Sequence, residues 1–303
     1  MKNRPRPSWA MLLTAASFFF GGCRRMHKEP FEKAPLAPGQ IETVRLSERA
    51  NLVVERLRFR SAELNEPRFL LALVPKDLST SPRVFILNHG WFDRPEDMLV
   101  HLKVDEVLDG MIGAGEVQPA IVAIPDVRFS DSFRRHAWRY PFANYLTFVA
   151  EEVASTVSQQ YHVPFDRERW SIGGFSFGGH VSLDVGRRYP GRFGAVAVIS
   201  GFADRDWSYW PAVAPPAGPV DAKGRGKHTV VAPGPPPRLL LACGTGDHLF
   251  AAMRQLHDKL AEAGIPHAWS TAAGGHTWQY WSSVLKPMLR FALGSDSGTE
   301  ISP

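Results

Sequence analysis

The chemistry this sequence could perform begins at Ser176. It stands in Gly174-Phe175-Ser176-Phe177-Gly178, directly after the short apolar run Trp170-Ser171-Ile172 and before a segment of helical character. On a tight strand-to-helix turn the serine is pushed clear of the backbone, and glycines are needed where no side chain has room. A serine hydroxyl is a weak nucleophile near neutral pH, so it needs a base to take its proton and a carboxylate to orient that base. Downstream, Asp247 ends Cys243-Gly244-Thr245-Gly246-Asp247, just past the apolar run Leu239-Leu240-Leu241-Ala242, and His276 follows Gly274-Gly275 another 29 residues on. The order Ser, Asp, His around such a turn predicts a triad of Ser176 as nucleophile, His276 as base and Asp247 as its orienting carboxylate.

Eleven histidines compete for the role of base. His257 lies in a helical stretch and His267 at a strand start, where packing or solvation accounts for them. His248 adjoins Asp247, which directs its side chain away from a shared site. His276 alone sits on a glycine-rich loop past a strand. Among the acids, Asp126 also follows a strand, after Ile124-Pro125, but it precedes the serine and suits a substrate loop. Attack on a carbonyl creates an oxyanion that needs waiting N–H donors. One is predicted at the backbone of Phe177, the other at Trp91 in Asn88-His89-Gly90-Trp91, the loop after Val84-Phe85-Ile86-Leu87. His89 belongs to that donor loop, where a structural role outweighs a catalytic one. It is grouped with Arg128, Trp207, Trp210 and Trp278 as residues expected at the substrate site.

The elements that must position these groups alternate along the chain. Residues 41–46, 52–57 and 69–74 read as antiparallel strands, and the apolar runs at 84–87, 120–124, 170–172, 195–199 and 239–242 are short and rich in branched residues. Helical character lies at 145–161, 177–189, 249–263 and 278–293. Strand alternating with helix predicts an α/β fold with a mostly parallel sheet and helices on both faces. No internal repeat interrupts it, so residues 41–294 are expected to form one domain and residues 295–303 a tail. Residues 203–237 break the rhythm, with eight prolines and four glycines in 35 positions. This insertion is read as a flap at the strand edge where parallel sheets bind ligands.

The first residues concern address rather than fold. A basic start, an 11-residue apolar stretch from Ala10 to Phe20 and then Gly21-Gly22-Cys23 read as an export signal over residues 1–22, too short to span a bilayer. Small residues before Cys23 resemble a bacterial lipobox, which predicts lipidation of Cys23, a tether over residues 23–40, and residence in the cell envelope, at the outer membrane or in the periplasm. The alternative is plain secretion. Cys243 is then left as a lone buried thiol, and two cysteines make no disulfide framework. The net charge of +5 loses Lys2, Arg4 and Arg6 with the signal, leaving 32 basic against 30 acidic residues, which argues against a nucleic-acid partner. Sequence alone leaves the oligomeric state open.

Taken in order, Phe85-Ile86-Leu87-Asn88-His89-Gly90, residues 104–107 with 119–126, Ala150-Glu151-Glu152-Val153, the turn at Ser176, Tyr189-Pro190-Gly191-Arg192-Phe193-Gly194-Ala195, Cys243-Gly244-Thr245-Gly246-Asp247 and Gly274-Gly275-His276-Thr277-Trp278 resemble an esterase family of α/β-hydrolases. It includes feruloyl esterases, S-formylglutathione hydrolases, enterochelin esterases and mycolyltransferases. The resemblance spans about residues 57–293 and is greatest to the feruloyl-esterase branch. It implies the α/β-hydrolase fold, ester cleavage through the same three residues, and no metal or organic cofactor. Phe175 and Phe177 replace the Leu and Met that often flank the serine, and Trp91 replaces a smaller residue, which alters the pocket. The expected substrate is a small-molecule or glycan ester, feruloyl, acetyl-sugar or siderophore. Acyl transfer from the same serine, and a non-catalytic surface-binding role, stand as alternatives.

Overall fold

The computed structural model describes residues 36–78, 81–128, 142–201 and 235–294. Nine strands form one sheet: β1 (Ile41–Glu48), β2 (Leu52–Ser61), β3 (Glu66–Pro75), β4 (Arg83–Asn88), β5 (Ala120–Pro125), β6 (Trp170–Phe175), β7 (Ala195–Ile199), β8 (Arg238–Gly244) and β9 (Ala268–Ala272). Their spatial order is β1-β2-β3-β5-β4-β6-β7-β8-β9. The pairs from β1 to β5 are antiparallel, and every pair from β5 onward is parallel. This is the α/β-hydrolase architecture, with an antiparallel N-terminal edge on a parallel sheet.

The central strands are apolar at every position rather than at alternate ones because both faces are covered. In β3 and β5, Leu70, Ala72, Ile121 and Ala123 bury on one face while Leu71, Leu73, Val122 and Ile124 bury on the other. On the first face lie the helix of residues 142–161 (α3), α4 (Phe177–Arg188) and α5 (Phe250–Glu262), through Val149, Val153, Val181, Val185, Met253 and Leu256. On the second lie α1 (Pro95–Val100), α2 (Val104–Gly113) and α6 (Trp278–Leu293), through Met98, Leu108, Met111, Leu285, Met288 and Leu289. The helical pattern of the sequence did not single out α1 and α2, which are only 6 and 10 residues long.

The middle of α3 is a π-helical turn, Phe148–Val153. It accommodates two adjacent glutamates with separate tasks. Glu151 pairs with Arg192, beyond α4, whereas Glu152 accepts from the Ser61 hydroxyl and from the amides of Ala62 and Glu63, at 2.8 and 3.0 Å. The Glu-Glu of Ala150-Glu151-Glu152-Val153 thus ties α3 to the β2–β3 turn on one side and to the approach to β7 on the other.

Parallel strands place all their C-terminal ends along one edge. The loops after β4, β6 and β8 and the loop after β9 therefore emerge together, and these carry Gly90, Ser176, Asp247 and His276.

Candidate active site

Ser176 caps α4 with φ 55° and ψ −121°, a backbone conformation costly for any residue with a side chain. The amide of Ser176 donates to the Ile199 carbonyl at 2.9 Å, and the Ser176 carbonyl accepts from the His180 amide at 3.1 Å. The flanking glycines have a steric cause. A Cβ on Gly174 would lie 2.6 Å from the Gly178 carbonyl carbon, and one on Gly178 would lie 2.5 and 2.6 Å from the carbonyl groups of Asn88 and His89. The end of β4 thus packs directly on the turn, and only hydrogen atoms fit between.

Two further loops meet this turn. The amide of Gly246 donates to the Gly274 carbonyl at 2.8 Å, and a Cβ on Gly244 would strike the backbone of Gly274. This close approach brings Asp247 and His276 together: His276 Nδ1–H donates to Asp247 Oδ2 at 2.9 Å, with Oδ1 at 3.1 Å. On the other side of the ring, the Ser176 hydroxyl donates to His276 Nε2 at 2.9 Å. Serine, imidazole and carboxylate form one continuous row. Asp247 is buried, which by itself would raise its pKa. Hydrogen bonds from His276 and from the Leu249 amide, the latter at 2.8 Å, outweigh burial and hold the carboxyl below its usual range. Such a row can remove the serine proton as the oxygen attacks, because the imidazolium that forms is stabilised by an ionised neighbour.

Trp91 and Phe177, the predicted oxyanion donors, lie beside Ser176, the first on the turn after β4 and the second at the start of α4. Their rings meet edge to face at 4.5 Å, and a Cβ on Gly90 would sit 3.6 Å from Ser176 Cβ. His89 is fully buried. Its Nδ1–H donates to the Gly90 carbonyl at 2.7 Å and its Nε2 accepts from the Val127 amide at 3.0 Å. One neutral tautomer satisfies both bonds, so the ring braces the donor loop against the segment after β5 and presents no polar atom to a substrate. Arg128 points its guanidinium at Asp126, bonding both carboxylate oxygens at 2.8 and 2.7 Å. Burial opposes the charge on Asp126, but this fork prevails and depresses its pKa. Trp278 is half-buried, stacked on His101 at 4.8 Å and edge-on to Trp281 at 5.0 Å. Trp207 and Trp210, with nearly all of the 203–237 insertion, lie outside the described residues, as do Cys23 and the export signal.

His248 is a correction. Its side chain does not leave the site: Nδ1 lies 3.6 Å from Asp247 Oδ1, and its ring centre lies 4.5 Å from that of His276. The expectation assumed strand-like alternation, but the chain turns at residues 245–249, so neighbouring side chains share a side. Burial and the His276 ring lower the pKa of His248. Sequence reasoning also passed over Asp93. Its Oδ2 accepts from the Gly90 amide at 3.1 Å, and its own amide donates to the Gly90 carbonyl at 3.3 Å, which closes the donor loop. An aspartate three residues after a loop glycine was the available signal. Cys243 is a buried free thiol pushed up to about 12 by burial first and by Asp247 second, which keeps it protonated and unreactive.

The "Putative esterase" family model matches residues 61–292, and the chain belongs to that family. A curated relative, an acetyl esterase of Caldicellulosiruptor saccharolyticus, is 25% identical over 158 residues, 46% of this chain. The chain spans 59% of that relative's length and 36% of a second curated relative's. Among solved structures, a ferulic acid esterase superposes with a TM-score of 0.64 at 21% identity, over 81% of this chain and 99% of that one. An S-formylglutathione hydrolase from Staphylococcus aureus gives 0.61 at 16% identity, over 86% of this chain and 100% of that one.

Proposed function

We propose that the protein is a serine carboxylesterase working through an acyl-enzyme on Ser176. The observation that carries this reading is the unbroken row from the Ser176 hydroxyl through His276 to Asp247. Ser176 Oγ bonds to the ester carbonyl carbon while His276 Nε2 takes its proton, and the carbonyl oxygen becomes an oxyanion facing the amides of Trp91 and Phe177. Each such donor is worth about 2.7–4 kcal/mol in the transition state. Collapse breaks the bond to the alcohol, which leaves with the proton from Nε2. Water then repeats the sequence, releasing the acid and restoring the serine. Half-buried Trp91 and Trp278 and exposed Phe92 favour an aromatic or acetylated-sugar ester, in line with the ferulic acid esterase and acetyl esterase to which the chain is similar.

The test is a panel of p-nitrophenyl, feruloyl, acetyl-sugar and siderophore esters, with and without an acceptor alcohol. Turnover that disappears in Ser176→Ala, together with labelling of Ser176 by a fluorophosphonate, is the expected result. A folded protein that neither labels nor cleaves any activated ester overturns the reading. The same proposal places the enzyme in the bacterial envelope through a lipid on Cys23. Among the described residues no helix is long and apolar enough to cross a membrane. Cys23→Ser should release the protein into the soluble fraction, and unchanged membrane retention rejects the anchor.

A further inference from the structure

Asp247, His248 and His276 each offer a ligand atom, and these atoms all lie within 4.8 Å of one another. The separations suit a single small ion. Ligands about 2.1 Å from a tetrahedral centre stand roughly 3.4 Å apart, and Asp247 Oδ1 lies 3.6 Å from His248 Nδ1 and 3.1 Å from His276 Nδ1. The donor set is two imidazole nitrogens and one carboxylate oxygen, which selects zinc over magnesium or calcium, cations that prefer all-oxygen cages. The Asp247 side chain is fully buried and His276 is mostly so, whereas His248 is 68% exposed and gives an ion its way in from solvent.

We infer that these three residues form an inhibitory zinc site, in which His248 converts the pair that activates the serine into a chelate. Zinc takes the Nδ1 lone pair of His276, one oxygen of Asp247 and Nδ1 of His248, with water in the fourth position. The Nδ1 proton of His276 departs to solvent and Nε2 gains one from solvent, so the ring stays neutral and no net proton is released from it. An imidazole bound through Nδ1 carries its hydrogen on Nε2. That nitrogen, 2.9 Å from Ser176 Oγ, then donates to the hydroxyl and has no lone pair to receive the serine proton. The carboxylate that orients the base is taken up by the same ion. The zinc-bound form is therefore inactive, and removal of the metal restores it.

The inhibitory consequence rests on the role proposed above for His276, but the binding does not, so the two are measured apart. Zinc chloride is titrated calorimetrically into chelator-treated wild-type protein and into Ser176→Ala, which keeps all three ligands, and then into His248→Asn. Ester hydrolysis by the wild type and by His248→Asn is followed over the same zinc range, each scaled to its own rate in EDTA. One zinc per chain is expected in the first two proteins. His248→Asn should weaken binding at least about tenfold and shift half-inhibition by the same factor. Cobalt in place of zinc should give the visible absorption of a four-coordinate site in the wild type and lose it in His248→Asn. His257→Asn, which disrupts the separate His257–His267 contact at 2.7 Å, should change neither zinc readout. No heat of binding at about 1 mM free zinc, which corresponds to roughly 4 kcal/mol, or equal affinity in wild type and His248→Asn, overturns the site. Zinc binding that depends on His248 in a protein without ester turnover keeps the site and removes the esterase reading. Turnover indifferent to zinc bound through His248 overturns the inhibitory role and leaves the esterase reading standing.

Discussion

Gly178→Ala tests whether the packing of β4 on the serine turn sets the rate. The new methyl carbon would lie 2.5 Å from the Asn88 carbonyl carbon and 2.6 Å from the His89 carbonyl oxygen, and nearer still to the Asn88 oxygen, where contacts under 3.0 Å essentially never occur. All of these atoms are backbone, so no side-chain rotation relieves the clash, and the strand end and the turn must part by about half an ångström or more. Overpacking of this kind costs about 1–3 kcal/mol, which for a domain of this size lowers Tm by roughly 2–12 °C. The activity should suffer more than the fold. Asn88 and His89 lead directly into Gly90 and Trp91, so the displaced strand carries the proposed oxyanion donor away from Ser176. A misplacement approaching 1 Å costs about 10²-fold, and kcat is expected to fall roughly 10- to 10²-fold on that scale. The assay is saturating p-nitrophenyl ester hydrolysis with near-ultraviolet circular dichroism and a thermal melt on the same sample. Gly110→Ala is the control: its Cβ would meet no atom within 4 Å, and it lies inside α2. There the loss of glycine should stabilise by about 0.5–1 kcal/mol without changing kcat. A folded Gly178→Ala enzyme whose kcat stays within about a factor of two of the wild type refutes the claim that backbone contact at this point aligns the site.

Two further perturbations address the supports of the same loop. Asp93 holds the Gly90 amide through Oδ2, so Asp93→Ala should lower kcat about tenfold with KM little changed, whereas Asp93→Asn retains an acceptor and most of the rate; equal losses in both variants would argue against a positioning role. The depressed pKa of Asp126 means that its charge contributes stability above the ordinary carboxylate range, near pH 4, and that this contribution is lost as acid titrates the folded state. Arg128→Ala leaves the buried carboxylate without its fork and should cost up to about 3 kcal/mol at pH 7, with the deficit narrowing toward pH 4 because burial then favours the neutral acid; urea midpoints at the two pH values decide it, and a deficit that widens on acidification rejects the pairing.

The residues of the site were legible where close backbone packing forces glycine and where order along the chain is fixed by topology. Gly174 and Gly178 mark a turn with no room for a methyl group, and the short branched runs mark strands covered on both faces. His248 was misread because one position of offset from Asp247 means opposite faces in a strand but the same side in a turn, and the residue types alone do not separate the two. Asp93 and the brace at His89 left weaker marks, since an aspartate near a loop glycine and a buried histidine occur for many reasons. Helices α1 and α2 were missed for their brevity, and hydrophobic spacing does not encode the π-helical turn at Phe148–Val153.

The triad's assembly is a problem of distance that the glycines solve. In the sheet order β6-β7-β8-β9, Ser176 leaves the end of β6, Asp247 the end of β8 and His276 follows β9. With strands about 4.8 Å apart, the last of these starts roughly 14 Å from the first, farther than an imidazole can reach. The loop after β9 must therefore fold back across the end of β8. Gly244 and Gly246 let it do so, because the Gly274 carbonyl lies against the first and accepts the amide of the second. The same crossing seats Gly274 beneath the Tyr280 ring at the start of α6, where a Cβ would come within 2.7 Å of the ring. Gly-Thr-Gly-Asp and Gly-Gly-His are two halves of one backbone crossing, and the histidine stands at the residue where the returning loop reaches the serine.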